Sequence, residues 1–143
     1  MRIADVLRNK GAGVATMPPD ATVAQLLAGL AEHNVGAMVV VGSAGAIAGI
    51  VSERDVVRNL HEHGSGVLEM SVAEIMTTTV ATCGMDAHVN ELTELMTTNR
   101  VRHIPVLVDG RLAGIVSIGD VVKTRMDELK TEQEQLQAYI TQG

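Results

Sequence analysis

The sequence predicts an α/β fold made of two tandem β-α-β-β-α units packed about a pseudo-twofold axis, and two observations carry that prediction. The first is internal repetition. Val14-Ala15-Thr16, Asp20-Ala21-Thr22-Val23, Ala48-Gly49-Ile50-Val51-Ser52 and Asp55-Val56-Val57 return as Val80-Ala81-Thr82, Asp86-Ala87-His88-Val89, Ala113-Gly114-Ile115-Val116-Ser117 and Asp120-Val121-Val122. Pairing 14–43 with 80–109 and 45–58 with 110–123 gives 18 identities in 44 pairs, far beyond chance, so the unit is duplicated. The second is the order of apolar runs within each copy, where a helix-period segment alternates with short strand-like ones. Each copy alone is near the size at which a core becomes marginal, so the two fold against each other. The cleft between them is then a place for a ligand.

The elements follow in chain order. Ile3, Val6 and Leu7 form a short apolar helical turn ahead of the glycine-containing stretch Asn9-Lys10-Gly11-Ala12-Gly13, and Val72-Ala73-Glu74-Ile75-Met76 repeats that turn. An opening strand (14–17, and 80–83 in the second copy) enters a loop, and an Asp-led helix follows. That helix carries Val23, Leu26, Leu27 and Leu30 in the first copy and Val89, Leu92, Leu95 and Met96 in the second, spacings that predict one buried face. Two short strands come next, 37–41 with 46–51 and 103–108 with 111–116. Asp109-Gly110 is a two-residue hairpin signal, and Ser43-Ala44-Gly45 its three-residue equivalent. Ser52 and Ser117 then start helices. The expected organisation is a first repeat over 1–60, a flexible linker over 61–71, a second repeat over 72–125 and a helical extension over 126–143. In the tail, Val122, Met126, Leu129, Gln133, Leu136 and Ile140 stand at alternating spacings of four and three, the narrow seam of a two-chain helix pair.

Composition excludes several function classes. Net charge is −6, and Tyr139 is the only aromatic residue, so there is neither a basic surface nor a row of rings for nucleic acid. No apolar run approaches the ~20 residues that span a bilayer, and the opening residues do not read as a signal peptide; the expected location is the cytoplasm. Cys83 is the single cysteine, which leaves no internal disulfide and no multi-cysteine zinc site. His61-Glu62-His63 places its histidines on different sides of a helix. Cys83 with His88 lacks an orienting third group, so no catalytic set is expected.

The order of elements, with Gly114-Ile115-Val116-Ser117-x-x-Asp120 and Val101-Arg102-His103-Ile104-Pro105-Val106, resembles the cystathionine-β-synthase (CBS) domain family. Two copies in tandem look like a Bateman module, and the resemblance runs from about residue 3 to 125. It implies a regulatory module without catalytic activity or required cofactor, binding an adenosine-containing ligand (AMP, ADP, ATP, NAD or S-adenosylmethionine) between the repeats. It also implies a homodimer in a flat four-repeat disc, with a separate effector protein that reads the ligand.

The residues give that implication physical content. Where a strand runs straight into a helix, the first helix amides and the dipole suit a phosphate or another polar group. Ser117 adds a hydroxyl there. Asp120, one turn in, can accept ribose hydroxyls, as the family's equivalent aspartate does. Ser52 and Asp55 repeat the arrangement, with Arg54 between them. Ser-x-x-Asp is equally a helix cap, and the two roles are compatible. Arg102 and His103, with Pro105 beyond them, stand where the family lines its cleft with phosphate contacts; Gly36 and Ala37 occupy that place in the first copy, and neither can supply such a contact. The second site is therefore expected to take a phosphorylated ligand, and the first an uncharged adenosyl group or nothing. Thr16 and Thr82, ending the opening strands, fall where the family touches the base. The alternative is an interaction protein with vestigial sites, acting through its dimer surface.

Overall fold

The computed structural model describes residues 1–11 and 13–142; Ala12 in the glycine-containing stretch and Gly143 at the end of the tail lie outside the described residues. Helix α1 (Ile3–Lys10) precedes strand β1 (Thr16–Met17), helix α2 (Val23–His33), the hairpin β2 (Ala37–Val41) and β3 (Ile47–Ser52), and helix α3 (Glu53–His63). A 3-10 segment (Gly64–Glu69) leads to α4 (Val72–Ile75), α5 (Val89–Asn99), the hairpin β4 (His103–Val108) and β5 (Arg111–Ser117), and α6 (Ile118–Gln142). β1 lies parallel to β2 and β2 antiparallel to β3; β4 and β5 form a second antiparallel pair. Asp109 and Gly110 both have positive φ, as the two-residue turn requires.

The opening strands are shorter than the sequence suggests, and unequally so. In the first repeat the Val39 N–H donates to the Ala15 carbonyl at 3.4 Å. Its counterpart is Pro105, which has no N–H to give. The strand expected over 80–83 accordingly contracts to one bridge, Cys83 opposite Val106, held by Cys83 N–H to Pro105 O at 3.1 Å and Leu107 N–H to Cys83 O at 2.9 Å. In α2 the cap is Thr22, two residues after Asp20: its hydroxyl accepts the Gln25 N–H at 3.1 Å, and the Gln25 side chain accepts the Thr22 N–H at 2.9 Å. Leu27, expected on the buried face, is exposed; Val23, Leu26 and Leu30 form the stripe, and Leu27 lies at its margin.

Two aliphatic cores result, and each is completed by the helix that chain order assigns to the other half. Val23, Leu26, Leu30, Met38, Val40, Val51 and Val56 of the first repeat pack with Val72 and Ile75 of α4. Val89, Leu92, Met96, Ile104, Val106, Val116 and Val121 of the second pack with Ile3, Val6 and Leu7 of α1. The backbone repeats the exchange: Val72 N–H bonds Ala21 O at 2.7 Å and Val23 N–H bonds Met70 O at 2.9 Å, while Ile3 N–H bonds Ala87 O at 2.9 Å and Val89 N–H bonds Met1 O at 3.0 Å. This reciprocity is the pseudo-twofold relation. Fully burying an aliphatic side chain is worth about 1.5–3 kcal/mol, so three such residues hold α1 and two hold α4.

Gly49 and Gly114 mark where the exchanged segments cross. A Cβ on Gly49 would meet Thr77 O at 2.6 Å, and one on Gly114 would meet the Leu7 Cδ1 at 2.7 Å. The segment read as a flexible linker is instead helical over most of its length: α3 continues to His63, Gly64 at φ 66 ends it, and fully buried Val67 anchors the 3-10 turn in the first core. The tail does not start a new element either. α6 is one helix of 25 residues from Ile118, roughly 37 Å long. Beyond Thr124 none of its described residues is buried, and Val122, Met126, Leu129, Leu136 and Ile140 stand 51% to 69% exposed along one stripe.

Candidate functional site between the repeats

Each repeat turns from strand to helix through Ser-x-x-Asp, and in both the aspartate folds back on the serine. Asp120 Oδ2 accepts the Ser117 N–H at 2.8 Å and its hydroxyl at 3.0 Å, while Ser117 Oγ accepts the Asp120 N–H at 3.2 Å. Asp55 and Ser52 do the same at 2.9, 3.2 and 3.4 Å. The helix-cap role is therefore real in both copies. The first helix amides, expected to be free, are partly used: Ile118 N–H goes to Arg102 O at 2.8 Å and Glu53 N–H to Gly36 O at 3.0 Å. A bound group would have to meet side chains more than bare amides.

The second-repeat turn carries a partner that sequence reasoning missed. Lys10, ending α1, donates to Asp120 Oδ2 at 2.6 Å and to the Ile115 carbonyl at 2.8 Å. Burial alone would raise the Asp120 carboxyl, but the hydrogen bonds from Lys10 and the Ser117 amide outweigh it and hold the group below the usual carboxylate range. The first-repeat turn has a neutral partner instead: the Thr77 hydroxyl lies 3.4 Å from Asp55 Oδ1, and no cation pairs with Asp55 among the described residues. Lys10 was invisible to periodicity because its role depends on α1 crossing to the other half. The one available signal was a lysine at the end of an apolar turn.

His103 sits opposite Ser117 in the β4–β5 register, just as Ala37 sits opposite Ser52. Burial first and the Lys10 ammonium second push its imidazole below the ordinary value, with Asp120 pulling the other way. It is a neutral donor-acceptor at neutral pH. Its Cε1 lies 3.7 Å from where a Cβ on Gly36 would stand, with the Glu53 carboxyl carbon at 3.8 Å, so the two repeats meet at His103, Gly36 and Glu53. Beside that meeting point an open groove of about 500 Å³ is lined by Leu27, Leu30, Asn34, Val35, Gly36 and Glu53.

The fold thus gathers Arg102, His103, Ser117 and Asp120 of the expected set, and adds Lys10. Arg102 is exposed, next to His103. Arg54 is exposed in the first turn of α3, Gly36 immediately precedes β2 and Ala37 opens it. Pro105 is buried and takes part through its carbonyl. Thr16 lies one strand beyond β2 from Ser52, and Thr82 adjoins the Cys83 bridge; both are exposed. Cys83 has its thiol pushed up to about 11 by burial and by Glu91, which keeps it protonated and a poor nucleophile. Among the described residues no three metal-ligating side chains converge, and no helix is long and apolar enough to cross a membrane.

Comparison with known proteins agrees with this architecture. The CBS domain profile matches residues 3–62 and 72–127. The mitochondrial CBS domain-containing protein CBSX3 of Arabidopsis thaliana is 39% identical over 99% of this chain and 72% of its own length. A CBS-domain containing protein from Agrobacterium tumefaciens superposes with a TM-score of 0.86 at 42% identity, over 87% of this chain and 99% of that one. The CBS domain pair of protein MJ0100, solved in complex with 5′-methylthioadenosine and S-adenosyl-L-methionine, shares the fold at a TM-score of 0.80 and 22% identity, over 90% of this chain and 98% of that one. With a duplicated unit, exchanged helices and two Ser-x-x-Asp turns all in place, the chain belongs to the CBS domain family as a tandem pair, a Bateman module.

Proposed function

We propose that this pair is a regulatory sensor that binds an adenosine-containing ligand beside Asp120 and passes its occupancy to a separate protein in the cytoplasm. The observation that carries the reading is one carboxylate held at a strand-to-helix turn with Lys10, Arg102 and His103 around it. The carboxylate suits a ribose diol, and the cations and imidazole suit phosphate. The adenosyl ligands of the MJ0100 pair support the same class of ligand here. Asp55, with Gly36 and Ala37 in place of Arg102 and His103, makes a plainer site suited to an uncharged adenosyl group. Binding would shift the packing of the halves, because His103 lies where the second repeat meets Gly36 and Glu53 of the first.

The expected assembly is a homodimer. Val57 and Leu60 on α3 and Val122 and Met126 on α6 are exposed apolar residues, Val57 and Val122 at equivalent positions of the two repeats, and a second copy would cover them. The long apolar stripe of α6 favours one other reading, an interaction protein whose sites are vestigial. A thermal-shift series with AMP, ADP, ATP, NAD, S-adenosylmethionine and GTP separates the two. Selective stabilisation by an adenosyl compound is expected. Replacing Asp120 by Asn should weaken it by roughly 1.5–3 kcal/mol, the worth of a hydrogen bond to a charged group. No stabilisation by any of them would refute the sensor reading and leave the interaction protein.

A further inference from the structure

The two repeats treat their aspartates differently, and the difference lies outside the repeated motif. After α4 the chain leaves the helix at once. Thr77 pairs through its backbone with Ile50, at 3.0 and 2.9 Å, and turns its hydroxyl to Asp55. α1 runs on for eight residues instead, and the Lys10 ammonium alone meets the corresponding acceptors, the Ile115 carbonyl and Asp120. One half therefore presents a neutral hydroxyl at this point and the other a fixed positive charge.

That charge occupies Oδ2, one of the two carboxylate oxygens a ribose diol would use. Asp120 Oδ2 already accepts the Ser117 amide, the Ser117 hydroxyl and Lys10. Both side chains of the ion pair are mostly shielded, at 30% exposure for Lys10 and 22% for Asp120. A ligand that takes Asp120 leaves the ammonium without its anion. A neutral nucleoside returns nothing for that loss. A phosphorylated one brings a new anion within reach of the same ammonium, whose four-carbon stem rotates freely. α1 itself does not have to undock, since Ile3, Val6 and Leu7 stay buried in the second core.

Resting on the adenosine-binding reading above, we propose that Lys10 is a built-in competitor for Asp120 that makes this site select phosphorylated adenosine compounds over neutral or cationic ones. Adenosine has to displace the ammonium uncompensated. S-adenosylmethionine would further bring a sulfonium cation towards Lys10 and Arg102. The Asp55 site, with Thr77 in that place, has no such selector.

The test is calorimetric titration of adenosine, S-adenosylmethionine and AMP into the wild type, Lys10→Met and Lys10→Arg, with melting curves to confirm folding. Lys10→Met keeps the stem and removes the charge. Adenosine should bind it more tightly than the wild type and AMP no more tightly, so that the AMP-to-adenosine affinity ratio falls at least about tenfold. Lys10→Arg should preserve the ratio. An unchanged ratio in Lys10→Met overturns the proposal while the sensor reading stands. A fall that keeps its full size when Asp120→Asn is added assigns it to phosphate attraction without competition for Asp120, and also overturns the proposal. If none of the three ligands binds any of these proteins, the adenosine reading itself falls and this inference falls with it.

Discussion

Two glycines of the same motif should respond very differently to one added methyl. A Cβ on Gly49 would lie 2.6 Å from the Thr77 carbonyl oxygen and 2.9 Å from the Met76 sulfur; on Gly114 it would lie 2.7 and 2.9 Å from the two δ-methyls of Leu7. Distance alone makes the two look alike. The neighbours differ in what they can do. Leu7 meets the new methyl with the end of a side chain, which can rotate or shift within the core. Thr77 meets it with backbone that is paired twice to Ile50, at 3.0 and 2.9 Å, and cannot retreat without stretching both bonds. Overpacking costs about 1–3 kcal/mol, and each weakened hydrogen bond adds about 0.5–1.5 kcal/mol. Gly49→Ala should therefore lose about 2–6 kcal/mol, and Gly114→Ala only about 1 kcal/mol, part of it offset by the lower chain entropy of alanine. Urea denaturation at one fixed protein concentration reads both from the midpoint and slope. Equal losses, or a greater loss at Gly114, would refute the reasoning that backbone pairing at Thr77 decides the outcome. Because Thr77 also reaches Asp55, Gly49→Ala should disturb the first site as well.

Three further outcomes follow from the geometry. His103 binds its proton less tightly folded than unfolded, so below about pH 6.5 the unfolded state holds more protons and stability falls as the pH is lowered; His103→Gln should flatten that slope in denaturation midpoints measured from pH 5 to 7.5, and an unaltered slope would assign it elsewhere. α5 has His88 at its cap with no side-chain hydrogen bond, where Thr22 caps α2, so His88→Thr should raise stability by about 1 kcal/mol in the same assay. Ending the chain after Leu129 removes no buried residue among those described and should leave the unfolding midpoint of a monomeric preparation within about 0.5 kcal/mol of its value, while sedimentation shows weaker self-association; an unaltered profile would sink the seam reading of α6.

Most of the fold was legible because local signals and repetition agreed. The hairpins and the Ser-x-x-Asp turns recur at matching positions and read the same way twice. The misses have local causes. Pro105 shortens the second opening strand by lacking one N–H, and Val67 ties down a glycine-bearing stretch that composition alone marks as flexible. Of the candidate site, Ser117, Asp120, Arg102 and His103 were legible because they belong to the strand-to-helix turn or to the strand beside it.

The sequence by itself determined that the protein is a duplicated aliphatic α/β pair with one basic and one stripped repeat. Those facts are written in residue identity and spacing, which no packing alters. Only the tertiary structure decided which half each short helix serves. α1 and α4 are alike in their apolar spacing, and a three-residue stripe carries no address; the exchange arises because both cores need a cover and the chain reaches across the pseudo-twofold to supply it. That crossing brings Lys10 to Asp120 across 110 residues of sequence, and so places a charge in the site that no local pattern announces.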